Sequence, residues 1–140
     1  KKIGIIFQNF NLLTSWTAFE NVDAVLMHQG LKKSDRREKV EKLLTDLGLG
    51  NRMNNLPSEL SIGQQQRVAI ARTLANEPSL ILADEPTGDV DPETAEEIIS
   101  HLMRPVKQNN TTLVVATHGS FPGKYADKTF VLKDGKLILQ

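Results

Sequence analysis

Cysteine is absent from the 140 residues, which excludes disulfides and thiolate-held metals and fits a cytosolic setting. Neither sign of charge prevails: 17 Lys and Arg balance 17 Asp and Glu, so no nucleic-acid partner and no electrostatic membrane anchor is expected. Aromatic residues are scarce, with one tryptophan, one tyrosine and five phenylalanines. No apolar run approaches the roughly 20 residues that span a bilayer. The pattern Gly-x-x-x-x-Gly-Lys-Ser/Thr, whose backbone N–H groups cradle phosphates, occurs nowhere. The chain opens on Lys1-Lys2 without an initiator methionine and enters a strand-like run at once. The expectation is a piece of a longer polypeptide with no signal peptide. What remains is enough for one hydrophobic core.

Ile3-Gly-Ile-Ile-Phe7 is apolar and rich in β-branched residues, so it reads as a strand ending at Gln8-Asn9. Residues 11 to 58 look helical. Ser34 is placed to cap a helix carrying Val40, Leu43, Leu44 and Leu47 at helical spacing, and Gly48 to close it in a left-handed turn. Asn51 to Pro57 reads as a polar loop. Ser61 and Gln64 form a Ser-x-x-Gln capping box at the start of a helix reaching about Ala75. Ser79 to Ala83 has the composition of a buried strand. Asp91 caps the next helix with Pro92 at its first position, and that helix should stop near Arg104-Pro105. Thr112 to Thr117 is β-rich, so residues 79 to 117 read as a right-handed βαβ unit with a parallel sheet. Thr129–Leu132 and Leu137–Leu139 read as a hairpin turning at Lys133-Asp-Gly-Lys136. The fold class is α/β with a helical insertion after the first strand.

Two stretches carry chemistry. Leu80-Ile-Leu-Ala-Asp-Glu-Pro-Thr87 is an apolar strand ending in adjacent carboxylates, which puts Asp84 and Glu85 at the carboxyl edge of the sheet where open α/β folds bind ligands. Asp84 can hold Mg²⁺ directly or through water, and Glu85 can polarise a water. Leu60-Ser-Ile-Gly-Gln-Gln-Gln-Arg-Val-Ala-Ile-Ala-Arg72 opens a helix with a hydroxyl at Ser61 and a bare backbone at Gly63, and a helix amino end attracts phosphate. Asp-Glu-Pro alone also ends ordinary strands, and Ser-x-x-Gln caps ordinary helices; the full run through Arg72 is far more specific. His28 and His101 lie in no motif, and no His/Asp/Glu group has zinc-like spacing. Trp16 beside Phe19 suits core packing of the insertion and exposure to a membrane partner equally.

These stretches resemble the signature and Walker B elements of the ATP-binding cassette (ABC) ATPases, and the likeness to the C-terminal two-thirds of such a subunit covers essentially the whole chain. The resemblance implies a partial P-loop NTPase core (residues 1–10 and 76–140) with a helical subdomain, signature helix included, at 11–75. It implies Glu85 as catalytic base, His118 as the switch histidine at the γ-phosphate, and Gln8 in the Q-loop near Mg²⁺ and the attacking water. Ser61, Gly63 and Gln64 of the signature and Asp91 of the D-loop would contact nucleotide, with Asp84 and Gln8 at the metal. ATP and Mg²⁺ are the implied cofactors. The implied partners are a second ATPase subunit, as homodimer or heterodimer, and transmembrane permease subunits, with the protein peripheral on the cytoplasmic face of the cell membrane. Asn11-Leu-Leu13 and Glu20-Asn-Val22 are most like subunits of the lipoprotein-release and macrolide-export type, with a similar run in methionine importers. A soluble ABC ATPase of repair or translation, or a non-hydrolysing fragment, is the alternative.

The sequence departs from the family at Ile62, where the first signature glycine is usual, at Gly88-Asp89-Val90, where Ser-Ala-Leu is usual, and at Gly119, where aspartate commonly follows the histidine. The missing Walker A loop and the adenine-stacking aromatic would lie upstream. The Walker A strand is expected beside the Walker B strand. Without it an unpaired edge and exposed apolar surface should remain, leaving the 140 residues unstable or aggregation-prone and weak in ATP binding.

Overall fold

The computed structural model describes residues 2–88, 90–118 and 123–140. Asp89 and Gly119, singled out above, lie outside the described residues.

Three strands form a parallel sheet in the order β1 (Ile3–Ile6), β2 (Leu80–Asp84), β3 (Thr112–Ala116), with Ile5, Leu82 and Val114 in register. Side chains alternate between the two faces. Gly4, Ile6, Ile81 and Ala83 are buried, whereas Ile3, Ile5, Leu82 and Val114 are exposed. The buried face shares one core with Ile70 of a long helix, described below as α3, and with Ile98, Leu102 and Val106 of the helix that follows β2.

The insertion begins with α1 (Ala18–Asp23), capped reciprocally by Thr17 and Glu20. Asn21, almost fully buried, organises the loop before it. Its Oδ1 accepts from the Leu13 N–H at 2.8 Å, and its Nδ2 lies 3.0–3.1 Å from the Leu13, Trp16 and Thr17 carbonyls. Trp16 itself is half-buried. Helix α2 (Lys33–Asp46) starts two residues earlier than a Ser34 cap implies. Lys32 is its extended N-cap and makes no side-chain cap, while the Ser34 hydroxyl turns to Asp35 at 2.8 Å. Burial of Val40 and Leu44, rather than a cap, holds this helix. Its end is as expected: Gly48 has φ +71°, and the Leu49 N–H donates to Leu44 O at 2.7 Å.

Helix α3 (Ile62–Ala75) packs on α1, α2 and β1, and on α4 (Pro92–Gln108). A Cβ on Gly4 of β1 would stand 2.5 Å from Thr73 Cγ2, so only glycine lets α3 lie this close to the strand. Helix α4 passes through Pro105 instead of stopping there. The proline removes one N–H, but Val106 is buried on the next position and holds the last turn to the core. The hairpin β4 (Phe130–Lys133) and β5 (Lys136–Leu139) turns at Asp134 (φ 49°) and Gly135 (φ 74°), the two left-handed positions of a type I′ turn.

One expectation is overturned. No further strand can lie beside β2, because both its edges are already paired, with β1 on one side and β3 on the other. Extension of the sheet is open only at the outer edges of β1 and β3. The sheet face opposite the helices is apolar and uncovered, with Ile3 62% and Val114 51% exposed.

Candidate functional site

Parallel pairing brings the ends of three strands to one edge. β1 leads into Gln8, β2 ends at Asp84 and leads into Glu85, and β3 leads through Thr117 into His118. Glu85 continues the ladder for one bond, its N–H donating to Ala116 O at 2.9 Å, and then turns sharply at φ 46°. The turn closes with the Gly88 N–H on Glu85 O at 3.1 Å. Gly88 lies close under this turn: a Cβ there would stand 3.3 Å from Glu85 Cβ, a tight contact, and 3.6 Å from Gln8 Nε2, an ordinary one. The same measurement puts the Gln8 amide against the Glu85 turn.

The Glu85 carboxylate is held on both oxygens. Oε1 accepts the His118 backbone N–H at 2.5 Å and stands 2.5 Å from His118 Nδ1, and Oε2 accepts from the Thr117 hydroxyl at 2.9 Å. The His118 side-chain bond, helped by the backbone N–H and Thr117, holds the Glu85 pKa below the usual carboxylate value. Conversely, the bond from Glu85 and its charge raise the His118 pKa above 6.5. A proton on Nδ1 directed at the carboxylate leaves Nε2 of a ring that is 86% exposed for another partner. Glu85, Thr117 and His118 line a cleft of about 400 Å³ with Thr87, Gly88 and Glu96. Asp84 is exposed at the strand end. Among the described residues no three His, Asp or Glu side chains gather as a metal cluster.

Ser61, Gly63 and Gln64 are not in this cleft. They form the tip of α3, where Gln64 N–H donates to Ser61 Oγ at 3.3 Å and Ser61 N–H to Gln64 Oε1 at 3.0 Å. Gly63 is buried against the start of α4, a Cβ there meeting Thr94 Cγ2 at 2.6 Å. Ile62 is 50% exposed at the tip. Asp91 caps α4 as the sequence indicates: Oδ1 accepts from Thr94 N–H at 3.0 Å and Oδ2 from the Thr94 hydroxyl at 2.6 Å. These bonds, the hydroxyl's first, lower its pKa. The two helix tips therefore meet at Gly63 and Thr94.

Two residues that hold the cleft were given no role from sequence. Thr117 orients Glu85, and Gln66 of α3, 1% exposed, donates from Nε2 to the Pro86 carbonyl at 2.7 Å. A glutamine on the apolar side of an otherwise small-and-branched helix was the available signal.

Residues 1–88 match the sequence model of the family described as ABC transporter. The chain belongs to that family. A lipoprotein-releasing system ATP-binding protein, LolD, of Hyphomonas neptunium is 46% identical over 138 residues, which is 99% of this chain and 60% of that protein. Among solved structures, a dimeric post-hydrolysis state of the ATP-binding cassette MJ0796 bound to ADP and Pi superposes with a TM-score of 0.83 at 39% identity, over 98% of this chain and 61% of that one. Another, cbiO1 of Clostridium perfringens, part of the transporter complex cbiONQ, gives a TM-score of 0.89 at 33% identity over 99% of this chain and 56% of that one. The fold is therefore that of an ABC ATPase cassette, of which this chain spans about 60% of the length of the curated relatives. Among the described residues no helix is long and apolar enough to cross a membrane.

Proposed function

We propose that the protein containing this chain binds and hydrolyses ATP as the energy-supplying subunit of a transporter. The observation that carries this reading is the Glu85 carboxylate, ionised by its partners and aimed by His118 and Thr117 at the edge of a parallel sheet. A carboxylate offers about four lone-pair sites, so those partners leave room for a water. Glu85 accepts that water's proton as the water turns toward the γ-phosphate, and Gln8 helps to hold the water. His118 keeps the carboxylate in one orientation and offers Nε2 to the phosphate. Phosphoryl transfer needs little beyond such positioning and charge neutralisation.

Asp84 and Gln8 are hard oxygen donors at one strand edge, which suits Mg²⁺, an ion that keeps several waters and takes few protein ligands. When bound it neutralises phosphate charge. The α3 tip, a helix amino end carrying the Ser61 hydroxyl, serves the nucleotide of a facing subunit, because Ser61, Gly63 and Gln64 do not line the Glu85 cleft. Asp91, between the cleft-lining Val90 and Pro92, stands where that tip meets the cleft. Residues 11–75 act as the lever between this dimer and membrane subunits, with the protein peripheral on the cytoplasmic face. The dimeric state of the MJ0796 cassette and the lipoprotein-releasing role named for the LolD relative favour this arrangement. Co-purification of the full-length protein with a membrane permease, and ATP turnover raised by that permease, tests it; a soluble protein with turnover indifferent to membrane partners contradicts it.

A further inference from the structure

The loop that follows Gln8 is held in a costly conformation. Phe10 and Asn11 are consecutive non-glycine residues with φ of 55° and 49°. Left-handed backbone is costly for the bulky Phe10 and better tolerated by Asn11, and two such residues in succession call for support from outside the turn. Local bonds supply part of it: the Phe10 N–H donates to Phe7 O at 3.2 Å, closing a turn around Gln8, and the Asn11 N–H reaches back to Asn9 O. The rest comes from α3. Arg72 donates from Nη2 to Phe10 O at 2.7 Å and from Nη1 to Asn11 O at 2.6 Å. Among the described residues it forms no ion pair, and its partial burial lowers its pKa. Its fork of donors is thus devoted to the two carbonyls that the left-handed pair turns toward it.

The next residue on the helix, Thr73, stands with its hydroxyl 3.0 Å from Ile5 O, in the strand that leads into Gln8. One turn of α3 therefore grips the backbone on both sides of Gln8, while the other end of the same 14-residue helix carries the Ser61 tip. We propose that Arg72 is a positioning residue that ties the Gln8 loop to α3, so that displacement of the α3 tip is transmitted to Gln8. The inference rests on the reading of Gln8 and Ser61 given under Proposed function. Lysine cannot replace the fork, having one ammonium where two carbonyls need separate, coplanar donors.

The test uses the full-length protein with Arg72→Ala and Arg72→Lys, read two ways. Amide hydrogen exchange without nucleotide is expected to rise about tenfold over residues 9–12 in Arg72→Ala, the loss of charge-assisted bonds, with residues 66–71 of α3 unchanged. ATP turnover is expected to fall about tenfold in kcat with KM within about twofold, and Arg72→Lys to recover only part of both effects. Unchanged exchange at 9–12 overturns the tether, whatever the turnover. A loosened loop with normal kcat overturns the transmission to Gln8. Exchange that rises equally through α3 means Arg72 merely stabilises the helix, and overturns the assignment too. If the unaltered protein hydrolyses no ATP, the function proposed above fails, while the exchange measurement still decides the tether.

Discussion

His118 Nδ1 stands 2.5 Å from Glu85 Oε1, which also receives the His118 backbone N–H, so one carboxylate oxygen fixes both the ring and the chain of the histidine. Each partner shifts the other: His118 titrates above 6.5 and Glu85 below its usual value. For His118 a raised folded pKa means stability fully present below the unfolded value and lost as pH rises through the folded one. For Glu85 a lowered folded pKa means stability present above the unfolded value and lost as pH falls through the folded one. The pair is therefore at full strength between the ordinary carboxylate and imidazole values and weakens on either side. An NMR titration of His118 in the full-length protein is expected to show its midpoint above 6.5, and Glu85→Gln to move it down. A midpoint unmoved by the substitution contradicts the pairing.

Gly63 is a packing requirement as much as a backbone one. Gly63→Ala places a methyl 2.6 Å from Thr94 Cγ2 and is expected to cost about 1–3 kcal/mol. Thr94→Ser removes the clashing methyl but keeps the hydroxyl bonded to Asp91, so the double variant should regain most of the loss. Chemical denaturation of the four proteins checks this; equal losses in the single and double variants would show the contact is unimportant.

Gln66→Leu conserves volume and leaves the Pro86 carbonyl without its donor. The unpaired Pro86 carbonyl costs about 1–3 kcal/mol, offset in part because the substitution also removes the buried Gln66 Oε1, which has no partner among the described residues. A net loss at or below the lower end of that range is expected, along with reduced turnover, because Pro86 follows Glu85 directly. Full turnover in a destabilised protein would show that the bond serves the core alone.

Much of this was legible in the residues. The start of α3, the cap of α4 and the hairpin turn follow from Ser61-x-x-Gln64, Asp91-Pro92 and Asp134-Gly135, because caps and turns are local chemistry. Ser34 and Pro105 misled for a shared reason: burial of Val40 with Leu44, and of Val106, outweighed the nearby cap and breaker signals. The meeting of Glu85 with His118 was implied by resemblance, but the parts of Thr117, Gln66 and Arg72 were not. Each acts through a bond to a residue 20 or more positions away, and spacing carries no record of such contacts. Sheet order was equally hidden; that β2 is central emerges only from its two ladders.

The uncovered sheet face and the exposed apolar hairpin predict self-association of the 140-residue chain in isolation. Sedimentation is expected to show oligomers, fewer after Leu132→Lys with Leu137→Lys, since both side chains are 71% exposed. A monomer with one cooperative melt contradicts this.

The most direct measurement concerns Glu85 itself: nucleotide binding and ATP turnover of the full-length protein, compared with its Glu85→Gln variant. The expected result is ATP affinity within a few-fold of the unaltered protein and turnover lowered by about 10²–10⁴-fold, the scale of a general base. Turnover close to that of the unaltered protein would contradict the role given to Glu85 and, with it, the reading of the whole cleft.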